Sequence, residues 1–307
     1  YTTLFRSEAE VIVETCRGRH TEGTPWKNMA VAYRTNALSR VLEDAFRRAG
    51  IPYVIARGTA FYDRKEIKDA LAYLRVVANP RDDVSLRRIV NTPARGIGKT
   101  SLERVEYHAA TRNMSLLEGL REVDHIEGIS SRARNAMKKF TALVDAWRAF
   151  DPRADMLTGG TSPLAELVER VIRESGLEAS YRNSRLEEDL ERADNLEELV
   201  SAAAETSPPS PYDDPDMPFD PREFENDDAD ATPDDHEVTM PQLLRSFLET
   251  VTLVSDADTI DPANGAVTLL TLHAAKGLEF EVVAIAGLEE GLLPHIRSIG
   301  DEVQLEE

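Results

Sequence analysis

The chain contains one cysteine, Cys16, no internal repeat at a fixed period, and no continuous apolar run of the roughly 18 to 20 residues that cross a bilayer. A lone thiol excludes an intramolecular disulfide and any zinc site built on cysteines, and it fits a reducing compartment. Without a long apolar run there is no membrane helix, and Tyr1 to Ser7 lack the apolar core of a secretion signal, so the chain reads as cytoplasmic, with no membrane partner. It opens without methionine and stops at Leu305-Glu306-Glu307 soon after a strand-like segment, so it is expected to be cut at both ends. Basic residues are outnumbered, 36 against 56 acidic ones, and the net charge of −20 at first argues against a nucleic-acid partner.

The distribution of that charge removes the objection. Glu205 to Glu237 carries thirteen Asp or Glu against the single Arg222, a net −12, which leaves −8 for everything else. The same segment holds seven prolines and almost no periodic apolar residues, the composition of a solvated loop, and it reads as a disordered acidic insertion. Elsewhere, 41% hydrophobic and 30% charged residues are ordinary for folded proteins, and 307 residues are enough for two domains.

Asn28 to Arg34 is a short apolar run with a polar end, and Ala37 to Ala49 follows with Leu38, Val41, Leu42, Ala45 and Phe46 at helical spacing. Gly50 ends that helix, and Ile51 to Ile55 is a second strand, which together predict a β-α-β unit and a parallel sheet. From Arg57 onward the periodicity is helical, with a stripe at Ile67, Ala70, Leu71, Leu74 and Val77. Further helices are predicted near 83–91, 100–112, 131–149, 163–175, 194–204 and 241–254. Strands return at Ala266–Thr271 and Val282–Ala286. The fold class is therefore α/β: a parallel-sheet domain built from both ends of the chain (1–56 and 265–307), interrupted by a mostly helical domain at 57–264.

Arg95-Gly96-Ile97-Gly98-Lys99-Thr100 ends like a phosphate-binding P-loop, but Pro93 stands where the first glycine is required and a helix precedes it instead of a strand. Two other readings stay open. One is a plain turn between helices. The other is a turn whose backbone N–H groups approach a duplex phosphate at a helix N-terminus, with Arg95 and Lys99 adding charge. Thr271 to Phe280 lies at the end of a strand, where open α/β sheets bind ligands. His273, Lys276 and Glu279 around Gly277 there point to a phosphate or nucleotide role, with no third ligand for a metal. Asn36 reads as a helix N-cap, a role compatible with ligand contact. Trp26, Tyr73 and Trp147 lie on apolar stripes and read as core residues.

Six blocks, in order, resemble the C-terminal half of UvrD, PcrA and Rep-type superfamily 1 DNA helicases: Ala30–Arg40, Phe61–Arg75, Asn91–Gly98, Asn195–Leu199, Thr271–Phe280 and Glu289–Pro294. The resemblance implies a RecA-like domain, 2A, interrupted by a helical domain, 2B. It implies an ATP-dependent helicase that moves 3′ to 5′, takes part in DNA repair or replication, and uses ATP and Mg2+. Asn36, Arg34 and His273 would contact single-stranded DNA. Lys276 and Gly277 would lie near the nucleotide phosphates and Glu279 near the ribose. Gly96, Ile97 and Gly98, with Arg95, Lys99 and Thr100, would grip duplex DNA.

The family's Walker motifs and its arginine motif VI lie outside these residues, so no complete catalytic set is present and this chain alone is expected not to hydrolyse ATP. Residues 1–7 match no part of the pattern. Two alternatives remain: a non-catalytic duplex-binding module, and the helicase subunit of a recombination helicase-nuclease.

Overall fold

A computed structural model describes residues 2–56, 58–150, 162–206, 239–256 and 265–288. Packing divides the chain into two compact units, Tyr1–Ala70 with Leu177–Ser201 and Val254–Glu307, and Leu71–Gly176 with Ala202–Leu253. Residues 58–70 and 177–201 thus pack with the sheet, although the sequence groups them with the helical insertion.

The first unit is built on four parallel strands: β1 (Met29–Tyr33), β2 (Tyr53–Ile55), β3 (Val267–Thr271) and β4 (Val282–Ala286), in the order β2-β3-β1-β4. All five residues of β1 are buried, as expected of a strand with neighbours on both sides. Its large residues Met29, Val31 and Tyr33 share one face, where Val267 and Leu269 of β3 join them. Helices α1 (Thr2–Thr21) and α2 (Ser39–Arg48) cover that face with Ile12, Val13, Cys16, Leu42 and Phe46. Cys16 is a core residue, and burial pushes its thiol up to about 11. The unit also contains the start of α3 (Lys65–Ala78), then α9 (Leu177–Arg182) and most of α10 (Glu187–Ala204).

The sheet is parallel, as the β-α-β pattern predicts, but β1 and β2 are not neighbours. β3, more than two hundred residues downstream, lies between them and pairs Thr268 with Ala30 and Val267 with Tyr53. Gly50 does close α2: its φ is +66°, and Ile51 N–H reaches back to the Phe46 carbonyl at 3.0 Å. Helix α1 is an addition to the expected elements, although Ala9, Ile12, Val13 and Cys16 have the spacing of a buried stripe.

The second unit is helical among its described residues: the rest of α3, α4 (Asp83–Ile89), α5 (Lys99–Thr111), α6 (Leu116–Arg121), α7 (Ser131–Arg148), α8 (Pro163–Glu174) and α11 (Met240–Asp256). Tyr73 and Trp147 meet edge to face at 5.8 Å in its core, and Trp147 Nε1–H donates to Glu174 at 2.7 Å. Trp26 is half-buried against the sheet unit's core. Helices α6 and α9 are short and escape a periodicity search, but Ser115 and Glu118 form a capping box that marks the start of α6. Only Glu205 and Thr206 of the acidic insertion are described. The rest of it, like the Glu289–Pro294 block, lies outside the described residues.

Helix α6 approaches α5 through Gly119, where an added Cβ would lie 3.0 Å from Ala109 Cβ and 3.2 Å from Val105 Cγ1. Gly119→Leu is therefore expected to overpack this contact and cost about 1–3 kcal/mol, read as a lowered melting temperature.

Candidate nucleic-acid interface

Parallel pairing puts the C-terminal ends of β1 and β3 side by side, with Tyr33 opposite Thr271, and Leu272 N–H extends the ladder to the Tyr33 carbonyl at 2.9 Å. The two polar segments that leave these strands therefore meet. Arg34 Nη1 lies 3.0 Å from His273 Nδ1 and 3.2 Å from Nε2, so its N–H can donate to one ring nitrogen at a time. Lys276, Gly277 and Glu279 follow on an exposed turn in which Gly277 has φ +82° and open space where a side chain would project. Among the described residues, neither Lys276 nor Glu279 is held in an ion pair.

Asn36 departs from its expected role. Thr35 is extended and residues 36–38 form a 3-10 turn with no side-chain cap, so α2 starts only at Ser39. The Asn36 amide instead donates to Glu191 Oε2 of α10 at 2.9 Å, leaving its second N–H for another acceptor. Its backbone is held by Arg64, whose Nη1 donates to the Asn36 carbonyl and to Asn195 Oδ1, both at 2.9 Å, and whose Nη2 donates to Ser39 Oγ at 2.6 Å. Asn195 in turn donates to Glu66 at 2.7 Å, and Ser39 donates to the buried Glu43 at 2.7 Å. Burial raises the Glu43 carboxyl and lowers the Arg64 guanidinium, and the opposite charge of the other group offsets part of each shift. Arg64 and Asn195 fall in two separate sequence blocks, and only Asn195, a buried polar residue within the apolar stripe of α10, gives a local signal.

In the helical unit, Asn91 Oδ1 accepts from the backbone N–H groups of Arg95 at 2.7 Å and Ile97 at 3.2 Å, which shapes the turn before α5. Ile97 is buried, whereas Gly96, Gly98, Lys99 and Thr100 are exposed. The two glycines differ. Gly96 has φ +81°, a conformation that favours glycine. Gly98 is the N-cap of α5 with an ordinary φ of −76°, and a Cβ built there would meet nothing within 4 Å. Glycine is a favoured N-cap residue, and the open space at 98 leaves the backbone there accessible from outside.

Arg95, expected to lend charge to this turn, points inward. Its guanidinium donates to the carbonyls of Ile89 at 3.0 Å, Pro93 at 3.1 Å and Ser175 at 2.8 Å and to the Tyr73 hydroxyl, and it lies 5.3 Å from the Phe140 ring centroid. Carbonyls near the turn absorb its donors. Arg95→Ala should therefore destabilise the chain by about 2 kcal/mol, as expected for lost charged hydrogen bonds. Lys99→Ala, at a side chain that is 90% exposed, should leave the melting temperature unchanged. In the sheet unit, Arg64→Leu strands Glu43 and should cost about 3 kcal/mol, with a smaller loss in the Arg64→Leu/Glu43→Leu pair when both are followed by thermal unfolding.

Among the described residues no helix is long and apolar enough to cross a membrane. Residues 2–307 match the family described as the UvrD-like helicase C-terminal domain, a match that takes in nearly all of residues 1–7 as well. The chain is 38% identical over 300 residues to an ATP-dependent DNA helicase PcrA of Staphylococcus epidermidis, and 37% identical to one of Staphylococcus aureus. Each alignment covers 97% of this chain and 36% of the relative, so the chain spans about a third of the length of the relatives it matches. With this match over nearly the whole chain and a parallel sheet with many helices, the chain belongs to the UvrD-like helicase C-terminal domain family.

Proposed function

We propose that this chain is the 2A and 2B part of an ATP-dependent DNA helicase that translocates 3′ to 5′ along one strand of a duplex. The sheet unit is assigned to 2A and the helical unit to 2B. The observation that carries the reading is the meeting of Arg34 and His273 at the ends of two adjacent parallel strands, with Asn36 two residues beyond Arg34 and Lys276, Gly277 and Glu279 on the connection that carries His273. A nucleic-acid grip and a nucleotide contact that share one short segment move together, which is the requirement for coupling hydrolysis to stepping.

Three roles follow. Arg34, His273 and the second Asn36 N–H donate to the backbone of a single strand, with no base reading and hence no sequence preference. Lys276 and the open backbone at Gly277 face nucleotide phosphates, and the Glu279 carboxylate accepts from a ribose hydroxyl. The Gly96–Thr100 turn approaches duplex phosphates through its backbone N–H groups at the start of α5. Bound ATP with Mg2+ supplies the free energy of γ-phosphate hydrolysis. The Mg2+ ligands are assigned to the family's Walker motifs, which lie outside these residues.

The test is strand separation by the full-length protein on duplexes with a 3′ or a 5′ single-stranded tail. ATP-dependent unwinding of the 3′-tailed substrate alone is expected. His273→Ala should lower single-strand affinity without lowering the melting temperature, and Gly98→Val should weaken duplex binding while sparing single-strand binding. Unwinding of neither substrate, or a preference for the 5′ tail, would overturn the proposal.

A further inference from the structure

Helix α7 carries cations on two faces with different surroundings. Arg134 and Lys138 point to Asp124, whose carboxylate lies 3.7 Å from Arg134 Nε and 2.5 Å from Lys138 Nζ. Arg132 and Lys139 are exposed, and among the described residues no carboxylate pairs with either. They are seven residues apart, which returns them to the same side of the helix about 10 Å apart along its axis, with the exposed Asn135 between.

That face borders a groove of about 470 Å³ whose lining includes Arg95, Arg132, Asn135, Lys139, Glu174 and Ser175. The groove opens beside the glycine turn: a Cβ on Gly96 would lie 3.1 Å from Arg132 Nε, so the Arg132 guanidinium rests against the turn's backbone. Two of its charged groups are already committed. Arg95 donates to carbonyls, and Glu174 accepts from Trp147 Nε1 and from Arg170 Nε at 2.8 Å. The groups left to meet an incoming ligand are a guanidinium, an amide and an ammonium.

We infer that Arg132, Asn135 and Lys139 form a second phosphate-contacting face that continues the grip of the Gly96–Thr100 turn along the backbone of duplex DNA. The inference rests on the duplex role proposed for that turn. The turn offers backbone N–H groups at one point, whereas the α7 face adds side-chain charge over about 10 Å, a span that reaches further phosphates at the 3.4 Å axial spacing of one strand. Arg132 suits a bidentate phosphate contact and Lys139 a point-charge contact.

The test is equilibrium binding of the 307-residue chain to blunt duplex and to single-stranded DNA across a salt series. Arg132→Ala/Lys139→Ala should flatten the slope of log affinity against log salt on duplex by about 1.8, about 0.9 per released counterion, and leave the single-strand slope unchanged. The charge-conserving Arg132→Lys/Lys139→Arg variant should keep the slope, as should Lys138→Ala, whose ammonium is already paired with Asp124. An unchanged slope in the double alanine variant, with Gly98→Val still weakening duplex binding, would overturn the inference and leave the turn's role standing. If neither variant alters duplex binding, both fail. Competition by polyglutamate as strong as that by duplex of equal charge would overturn it in favour of an acidic peptide ligand.

Discussion

The buried guanidinium of Arg64 is the interaction on which the polar end of the sheet unit depends. One planar fork holds the Asn36 carbonyl, the Ser39 hydroxyl and the Asn195 amide, and so joins the segment after β1 to the start of α2 and the middle of α10. Each acceptor would be costly to bury alone, and so would Arg64 without Glu43 nearby. Satisfied together, they hold the Asn36 backbone in one position while its side chain stays at the surface. Under the role proposed for Asn36, such a fixed support matters, since a loop held only by solvent would lose binding energy in ordering itself.

Net charge is a poor guide to the ligand of this chain. Many of the described arginines are neutralised locally: Arg87 by Glu106, Arg182 by Glu178 and Asp194, Arg192 by Asp189. Such pairs contribute little to stability at a surface, but they remove the charge from any approaching polyanion. What would remain for a polyanion is decided by which cations lack a carboxylate in reach. Arg132 and Lys139 differ from Arg134 and Lys138 on the same helix only by the side they occupy. Coulomb attraction screened over roughly 8 to 10 Å responds to that local arrangement and hardly to an acidic segment elsewhere.

The two glycines of the Gly96-Ile97-Gly98 turn divide internal from external demands. Gly96 answers to the chain itself, through a positive φ and the Arg132 guanidinium against it. Ile97 anchors the turn in the helical core. Gly98 caps the start of α5 with open space beside it, and a turn so held from within presents its outer backbone in a defined place.

Much was determined by the sequence alone. Apolar periodicity located β1, α2, α3, α5, α7 and α8 nearly to their ends, because a stripe of buried side chains is a local property of the chain. Gly50 marked its helix end for the same reason. The core roles of Tyr73 and Trp147 were legible as well, and ordered blocks of residues carried the family. What only the tertiary structure decided are the relations between distant residues: β3 between β1 and β2, Arg34 against His273, and Arg64 joined to Asn195. It also showed that Asn36 is turned to Glu191 instead of capping a helix, and that Arg95 is spent on carbonyls instead of facing outward. Sequence spacing encodes which face of an element is apolar, whereas the partner of a polar group depends on which elements meet, and that is fixed only when the whole core closes.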